Sequence, residues 1–162
     1  MNAHELARFL NLAPLLPEGG FFRQTFKDKH LLNIDGQSRS ASTCILYLLT
    51  SESFSAFHRV KGTEIFHFLQ GDRAEIFVEE GSDLKRHLLG NSIADGEQPQ
   101  FIVKPNTWQA LRIAPGGNRG WALFSTTVSP GFEEEDFELG MRAELQKAFP
   151  QEAEPVKQLT RV

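Results

Sequence analysis

Between residues 20 and 128 the chain is cut at short intervals by turn-forming residues, and this punctuation constrains its fold more than any other feature. The breaks are Asp35-Gly36, Lys61-Gly62, Gly71-Asp72, Glu80-Gly81, Asp95-Gly96, Pro105-Asn106 and Pro115-Gly116-Gly117-Asn118. Glycine supplies positive φ and proline a fixed φ, so such clusters reverse the chain. The runs between them are residues 21–26, 43–50, 53–60, 63–70, 73–78, 84–89, 101–104, 108–113 and 121–128. They are rich in β-branched and aromatic residues, which suit a pleated, half-buried surface. Many short strands with regular turns predict an all-β sandwich or barrel.

Helical patterns flank the strands. Leu6, Phe9 and Leu10 have helical spacing within residues 2–11, and Asn2 with Glu5 three residues on forms a capping-box pattern. Pro14, Pro17 and Gly19-Gly20 then break the chain. A second, longer helix is predicted over 134–148. Its first turn is acidic, and Phe137, Met141, Leu145 and Phe149 lie four apart as an apolar stripe. Gly140 weakens it and Pro150 stops it. The polar residues 150–162 are expected to be a flexible tail. No repeat or linker divides the chain, so residues 1–162 read as one domain with its core between about residues 10 and 149.

Charge and cysteine usage narrow the partners. The net charge is −4 and no run of Lys or Arg forms a basic stripe, which argues against nucleic acid. No apolar run approaches the roughly 20 residues that span a bilayer, and the N-terminus lacks the basic start and apolar run of a signal peptide. A lone cysteine, Cys44, cannot form an intrachain disulfide and fits a cytoplasmic setting. Phenylalanine occurs 14 times, and some of these rings are expected in an oligomer interface.

Chemistry concentrates between His58 and Asp72. His58, Glu64 and His67 fall within ten positions, on two runs separated by Lys61-Gly62. Imidazole with carboxylate binds divalent metals or forms an acid/base pair. The neighbours are apolar: Phe54, Phe57, Ile65, Phe66 and Phe68. Polar groups in such surroundings predict a pocket that takes a small molecule.

The chain resembles the cupin superfamily. His58, Glu64 and Gly71 match the first His, the Glu and the Gly of the first cupin motif, with Val60 in place of the second His. In the second motif Pro105 matches, while Thr107 stands for Gly and Ala110 for His. It is most similar to one branch of small bacterial and fungal proteins. The marks of that branch are Pro-Glu-Gly-Gly-aromatic-Phe-Arg at 17–23, Ser42-Thr43, the 58–68 segment, Trp108-Gln109, and Pro-Gly-Phe with acidic residues at 130–138. The resemblance covers about residues 10–149. It implies a double-stranded β-helix, or jelly-roll barrel, with a short N-terminal and a longer C-terminal helix.

The resemblance also frames the site. Metal-binding cupins use three His and one Glu; Val60 and Ala110 cannot ligate, so no metal and no other cofactor is expected. His58 and Glu64 are the candidate catalytic pair, with the carboxylate orienting the imidazole. Some metal-free cupins related to sugar-nucleotide epimerases use a His base and a Tyr acid; Tyr47 is the one tyrosine here. Candidate ligand contacts are Arg23, Arg59, His67, Trp108, Gln109 and Arg112. His67 lies three positions from Glu64, so an unbulged strand puts it on the other face. Gln109 needs a bulge to face inward, and Arg112, sharing parity with Ala110, is expected inside, where it suits an anion or a buried Glu64. The expected function is small-molecule binding, with metal-independent isomerisation or epimerisation of a sugar-like or anionic substrate. A metal-dependent enzyme with altered ligands and a non-catalytic sensor are the alternatives. A homodimer paired through the N-terminal strands, around Phe21, Phe22 and Phe26, is expected.

Overall fold

A computed structural model describes residues 1–161. The described residues form thirteen strands: β1 Ala13–Pro14, β2 Phe21–Lys27, β3 Leu31–Ile34, β4 Gln37–Ser40, β5 Thr43–Thr50, β6 Ser55–Arg59, β7 Thr63–Gly71, β8 Ala74–Glu80, β9 Asp83–Leu89, β10 Gln100–Val103, β11 Gln109–Ile113, β12 Trp121–Ser129 and β13 Glu138–Leu139. Among the described residues three short helices accompany them: α1 Ala3–Phe9, α2 Arg142–Ala148 and α3 Ala153–Gln158. No helix among the described residues is long and apolar enough to cross a membrane.

The strands form a six-stranded sheet, β1-β2-β5-β12-β7-β10, and a five-stranded sheet, β13-β6-β11-β8-β9, with β3 and β4 as a separate hairpin. All strand pairs are antiparallel. The two sheets face each other as a jelly roll, as the turn spacing predicts. The hairpin turns at Asp35 and Gly36, which both take positive φ, 51° and 80°, the conformation that joins strands most tightly.

Alternation along each strand sorts side chains between the barrel interior and its outer faces. Tyr47 and Leu49 of β5, Phe66 of β7, Ile76 of β8, Leu111 of β11 and Phe124 of β12 meet between the sheets. Phe124 is the centre of an aromatic group: Phe66 and Phe68 meet it edge-on at 6.1 and 5.7 Å between centroids. Each such fully buried ring or Leu contributes about 1.5–3 kcal/mol. Outside the six-stranded sheet, α1 covers Leu48, Trp121 and Leu123 through Ala7 and Leu6. Its capping box is formed as read: Asn2 Oδ1 accepts from Glu5 N, and Glu5 Oε2 from Asn2 N, both at 2.9 Å.

The C-terminal region departs from the prediction in two ways. The helix expected over 134–148 begins only at Arg142; before it lie a 3-10 turn at Glu134–Asp136 and β13. Tertiary partners take this segment out of the helix. Asp136, 7% exposed, is claimed by the Arg39 guanidinium of β4, and Leu139 pairs with His58. Gly140 lies where a Cβ would meet Leu145 at 2.6 Å and the Phe57 carbonyl at 3.0 Å, so the chain runs tight against β6. The tail expected to be flexible instead carries α3. Val156 and Leu159 are buried with Phe57, Phe77, Leu145 and Phe149 on the outer face of the five-stranded sheet.

Candidate functional site

The short connection at residues 60–62 does not close a hairpin. It carries the chain from β6 in one sheet to β7 in the other, so His58 and Glu64 approach the interior from opposite walls. On β6 a register shift against β11 places Gln109 opposite His58 and Leu111 opposite Ser55. The extra residue is a bulge, and it turns both Ser55 and His58 inward. Gln109 is fully buried and donates from Nε2 to Glu64 Oε2 at 2.5 Å, linking the two sheets. Its own strand runs in regular register with β8. The bulge expected on β11 is absent; Gln109 faces inward by simple alternation, and Ala110 faces outward into the helix-covered core.

His58 is 2% exposed. Its Nδ1 lies 2.8 Å from the Ala56 carbonyl. A carbonyl only accepts, so in the neutral ring the proton sits on Nδ1 and Nε2 is left as an acceptor. The backbone therefore sets the tautomer, rather than Glu64 as expected. Phe137 stacks on the imidazole at 5.3 Å. The only carboxylate within ion-pair distance among the described residues is Glu18, with Oε2 at 3.9 Å from Nε2.

Glu18 was not anticipated. It belongs to the Pro17-Glu18-Gly19-Gly20 segment, whose glycines read as a turn. Ser55 Oγ donates to Glu18 Oε1 at 2.7 Å, and Tyr47 donates to the Gly19 carbonyl at 2.9 Å. A Cβ at Gly20 would stand 2.9 Å from the Tyr47 hydroxyl and 2.8 Å from the Leu48 carbonyl, at a φ of +78°. Only glycine lets this loop press so closely on the barrel mouth. The signal in the sequence was a carboxylate immediately before a Gly pair, and a lone Tyr in the apolar run of β5.

Electrostatics follow from burial. The Glu64 carboxyl is pushed up to about 7 from an ordinary 4.5, chiefly by desolvation. His58 opposes the rise, Glu18 adds to it, and the hydrogen bond from Gln109 lowers it. No Lys or Arg among the described residues is one of the groups that shift it. Tyr47 is held well above the usual phenol range by burial and then by the Glu18 charge. Two buried polar atoms have no partner among the described residues: Gln109 Oε1 and Thr126 Oγ1. Unpaired buried polar atoms are costly and mark a place for water or ligand.

The remaining candidates lie elsewhere. Arg112 points outward, not inward: Nε donates to Glu75 Oε2 at 2.7 Å and the guanidinium lies over Phe77. It does share parity with Ala110, but both occupy the outer face. With Arg86 it holds Glu75 below the ordinary carboxylate value despite burial. Arg59 forms two hydrogen bonds to Glu138 and covers Trp108 at 4.5 Å. Trp108 packs on the outer core beside the C-terminal helices. Arg23 is exposed and donates to the Leu10 carbonyl at 2.9 Å. His67 is on the outer face as parity predicts, 3.2 Å from Gln100. The structure thus brings His58, Glu64 and Gln109 together and leaves Arg23, Arg59, His67, Trp108 and Arg112 outside.

Two surface clefts, of about 760 and 400 Å³, open beside the 115–120 loop rather than on this cluster. Most of their charged members are already engaged, while the Arg119 guanidinium of the smaller cleft lies over the Trp121 ring. Asp72 accepts from the backbone N–H groups of Asn118, Arg119 and Gly120, and Arg112 is taken by Glu75. The unsatisfied polar atoms lie in the interior.

The donor set does not fit a transition-metal centre of the cupin kind. His58 and Glu64 are inward, but Val60 is apolar and Gln109 replaces the remaining imidazole with an amide bound to Glu64. Among the described residues no group of three or more His, Cys, Asp or Glu is placed to hold an ion.

Comparison with known proteins places this geometry. A solved protein from Leishmania major superposes with a TM-score of 0.91 at 29% identity, covering 100% of both chains. One from Shewanella oneidensis superposes with a TM-score of 0.88 at 31% identity, covering 99% of this chain and 98% of the other. The uncharacterized protein YML079W of Saccharomyces cerevisiae is 28% identical over 134 residues, 74% of this chain. The match spans 66% of that yeast protein, just under two thirds of its length. Residues 4–140 match the family model described as Cupin superfamily (DUF985), and the chain belongs to that family.

Proposed function

We propose that the protein binds a small, uncharged, hydroxyl-bearing molecule of sugar-like kind between its two sheets. The supporting observation is an imbalance of hydrogen-bonding groups. Three interior donors are engaged: Gln109 Nε2 on Glu64, Ser55 on Glu18, Tyr47 on Gly19. The acceptors are in surplus: His58 Nε2, the two carboxylates and Gln109 Oε1, with the Thr126 hydroxyl also free. A donor-rich ligand satisfies these acceptors, and the Thr126 hydroxyl can meet one acceptor in return. The anionic ligand expected from Arg112 loses its support, because that guanidinium is outside and the interior already holds Glu18 and Glu64.

The same groups suit proton transfer without a metal. His58 Nε2 is placed as a base, and a carboxyl near 7 exchanges its proton at neutral pH. His58 takes a proton from the carbon beside a carbonyl while Glu64 gives one to the carbonyl oxygen, producing an enediol; reversal on the neighbouring carbon completes an isomerisation. Tyr47 is a poor acid here, since its hydroxyl is committed to Gly19.

Calorimetry with aldoses, ketoses and their phosphate esters tests binding, using wild type, Glu64→Gln and His58→Ala. Neutral sugars are expected to bind better than esters, and both substitutions to weaken them. Preference for the esters, or binding indifferent to both substitutions, refutes the reading. Exchange of substrate C–H in D₂O, read by NMR, separates enzyme from binding module: binding without exchange favours the module.

A further inference from the structure

The last described residues return to the interior cluster. Leu159 accepts from Phe57 N at 2.8 Å, laying the chain beside β6. Two residues on, the Arg161 guanidinium lies over the Phe54 ring at 4.4 Å. Its Nη2 donates to the Glu18 carbonyl at 2.9 Å and to the Phe54 carbonyl at 3.0 Å, and Nε also reaches Glu18 at 3.3 Å. The fork thus ties the loop before β2 to the segment before β6. The fit is close: a Cβ on Gly19 would stand 2.1 Å from the Phe54 carbonyl and 2.4 Å from Arg161 Nη2. The Glu18 carbonyl has a further anchor in Ala56 N at 2.9 Å. From this fixed backbone the Glu18 side chain, 15% exposed, reaches Ser55 and approaches His58.

We propose that Glu18 is a ligand-facing residue of the interior site and that Arg161 positions it. This rests on the interior being a ligand site, yet its test needs no ligand. Glu18 supplies a second carboxylate opposite Glu64, so the site disfavours anions and favours donor-rich ligands. Arg161 contacts neither His58 nor Glu64 and acts only by holding the loop.

Glu64 reports on Glu18. The groups facing it are His58 from β6, Gln109 from β11, Glu18 from the loop and Tyr47 from β5. Carboxyl ¹³C titrations of Glu64 are to be recorded for wild type, Glu18→Gln, Arg161→Ala, Arg161→Gln and the Glu18→Gln/Arg161→Ala double variant. Removing a like charge lowers a carboxyl midpoint, here by roughly half a pH unit or more. The expected result is a fall in Glu18→Gln, a fall of the same sign in both Arg161 variants, and a double variant no lower than Glu18→Gln alone. Arg161→Lys is expected to return the midpoint toward wild type. If Glu18→Gln leaves the midpoint in place, Glu18 does not face the site. If it falls there but not in Arg161→Ala or Arg161→Gln, Arg161 is no positioning residue; Arg161→Gln decides should Arg161→Ala not fold. Failure of the ligand reading would show in the calorimetry instead and leave these titrations untouched.

Discussion

Replacing Glu64 with Gln should change how stability depends on pH, with a sign opposite to that of most carboxylates. Glu64 titrates near 7 in the folded protein against an ordinary 4.5. Below about 4.5 the group is protonated in both states and contributes no pH dependence. Between 4.5 and 7 the unfolded chain releases this proton while the folded protein keeps it, so stability falls as pH rises. Above 7 both are ionised and the loss is complete. At about 1.4 kcal/mol per pH unit, the rise amounts to a loss of roughly 3 kcal/mol. Gln is nearly isosteric and its carbonyl still accepts from Gln109, so the variant keeps the contact without the titration. Urea unfolding at intervals from pH 4 to 8.5 provides the assay. Subtracting the two profiles removes the other titrating groups they share. The variant should gain roughly 3 kcal/mol relative to wild type between pH 4.5 and 8. A flat difference, or wild type gaining as pH rises, would mean that Glu64 has a compensating positive partner and would refute the reasoning.

Other outcomes follow from named contacts. Asp72→Ala removes an acceptor for three loop N–H groups and should cost about 2–3 kcal/mol, with faster amide exchange at 118–120; unchanged exchange would contradict this. Leu159→Ala opens a cavity at a residue 1% exposed and should cost about 2–4 kcal/mol in denaturant unfolding; a loss below about 0.5 kcal/mol would restore the flexible tail. For assembly, a homodimer through the β2 edge remains our proposal. Phe22 packs toward the interior and Phe21 beneath α1, whereas Phe26 and Leu31 are 51% and 67% exposed. Light scattering should give twice 18.2 kDa, and Phe26→Asp with Leu31→Asp should halve it; a wild-type monomer at micromolar concentration would reject the proposal.

The strands were legible because alternation and turn chemistry act locally. β5 spans Thr43–Thr50 as read, and Asn2 caps α1 through its own side chain. The β3–β4 hairpin was missed although its Asp35-Gly36 turn was visible, because its strands are short and largely exposed. The C-terminal helix was overextended because Phe137 and Met141 do have helical spacing. Arg39, far away in sequence, captures Asp136 and fixes the chain there. Parity correctly grouped Arg112 with Ala110 but could not say which face was inside. That choice rested on a motif alignment that the β11 register shifts by one, to Gln109. Glu18 and Arg161 are separated by 143 positions, and no local pattern reveals their contact.

The central claim, that the ligand site is the interior cluster, is tested most directly by a crystal structure of the protein as purified or soaked with a neutral sugar that binds. Density is expected between the sheets, with donors on His58 Nε2 and Gln109 Oε1 and within reach of Glu18 and Glu64. Density confined to the cleft beside Arg112 and Gln158, with the interior filled only by water hydrogen-bonded to those acceptors, would contradict it.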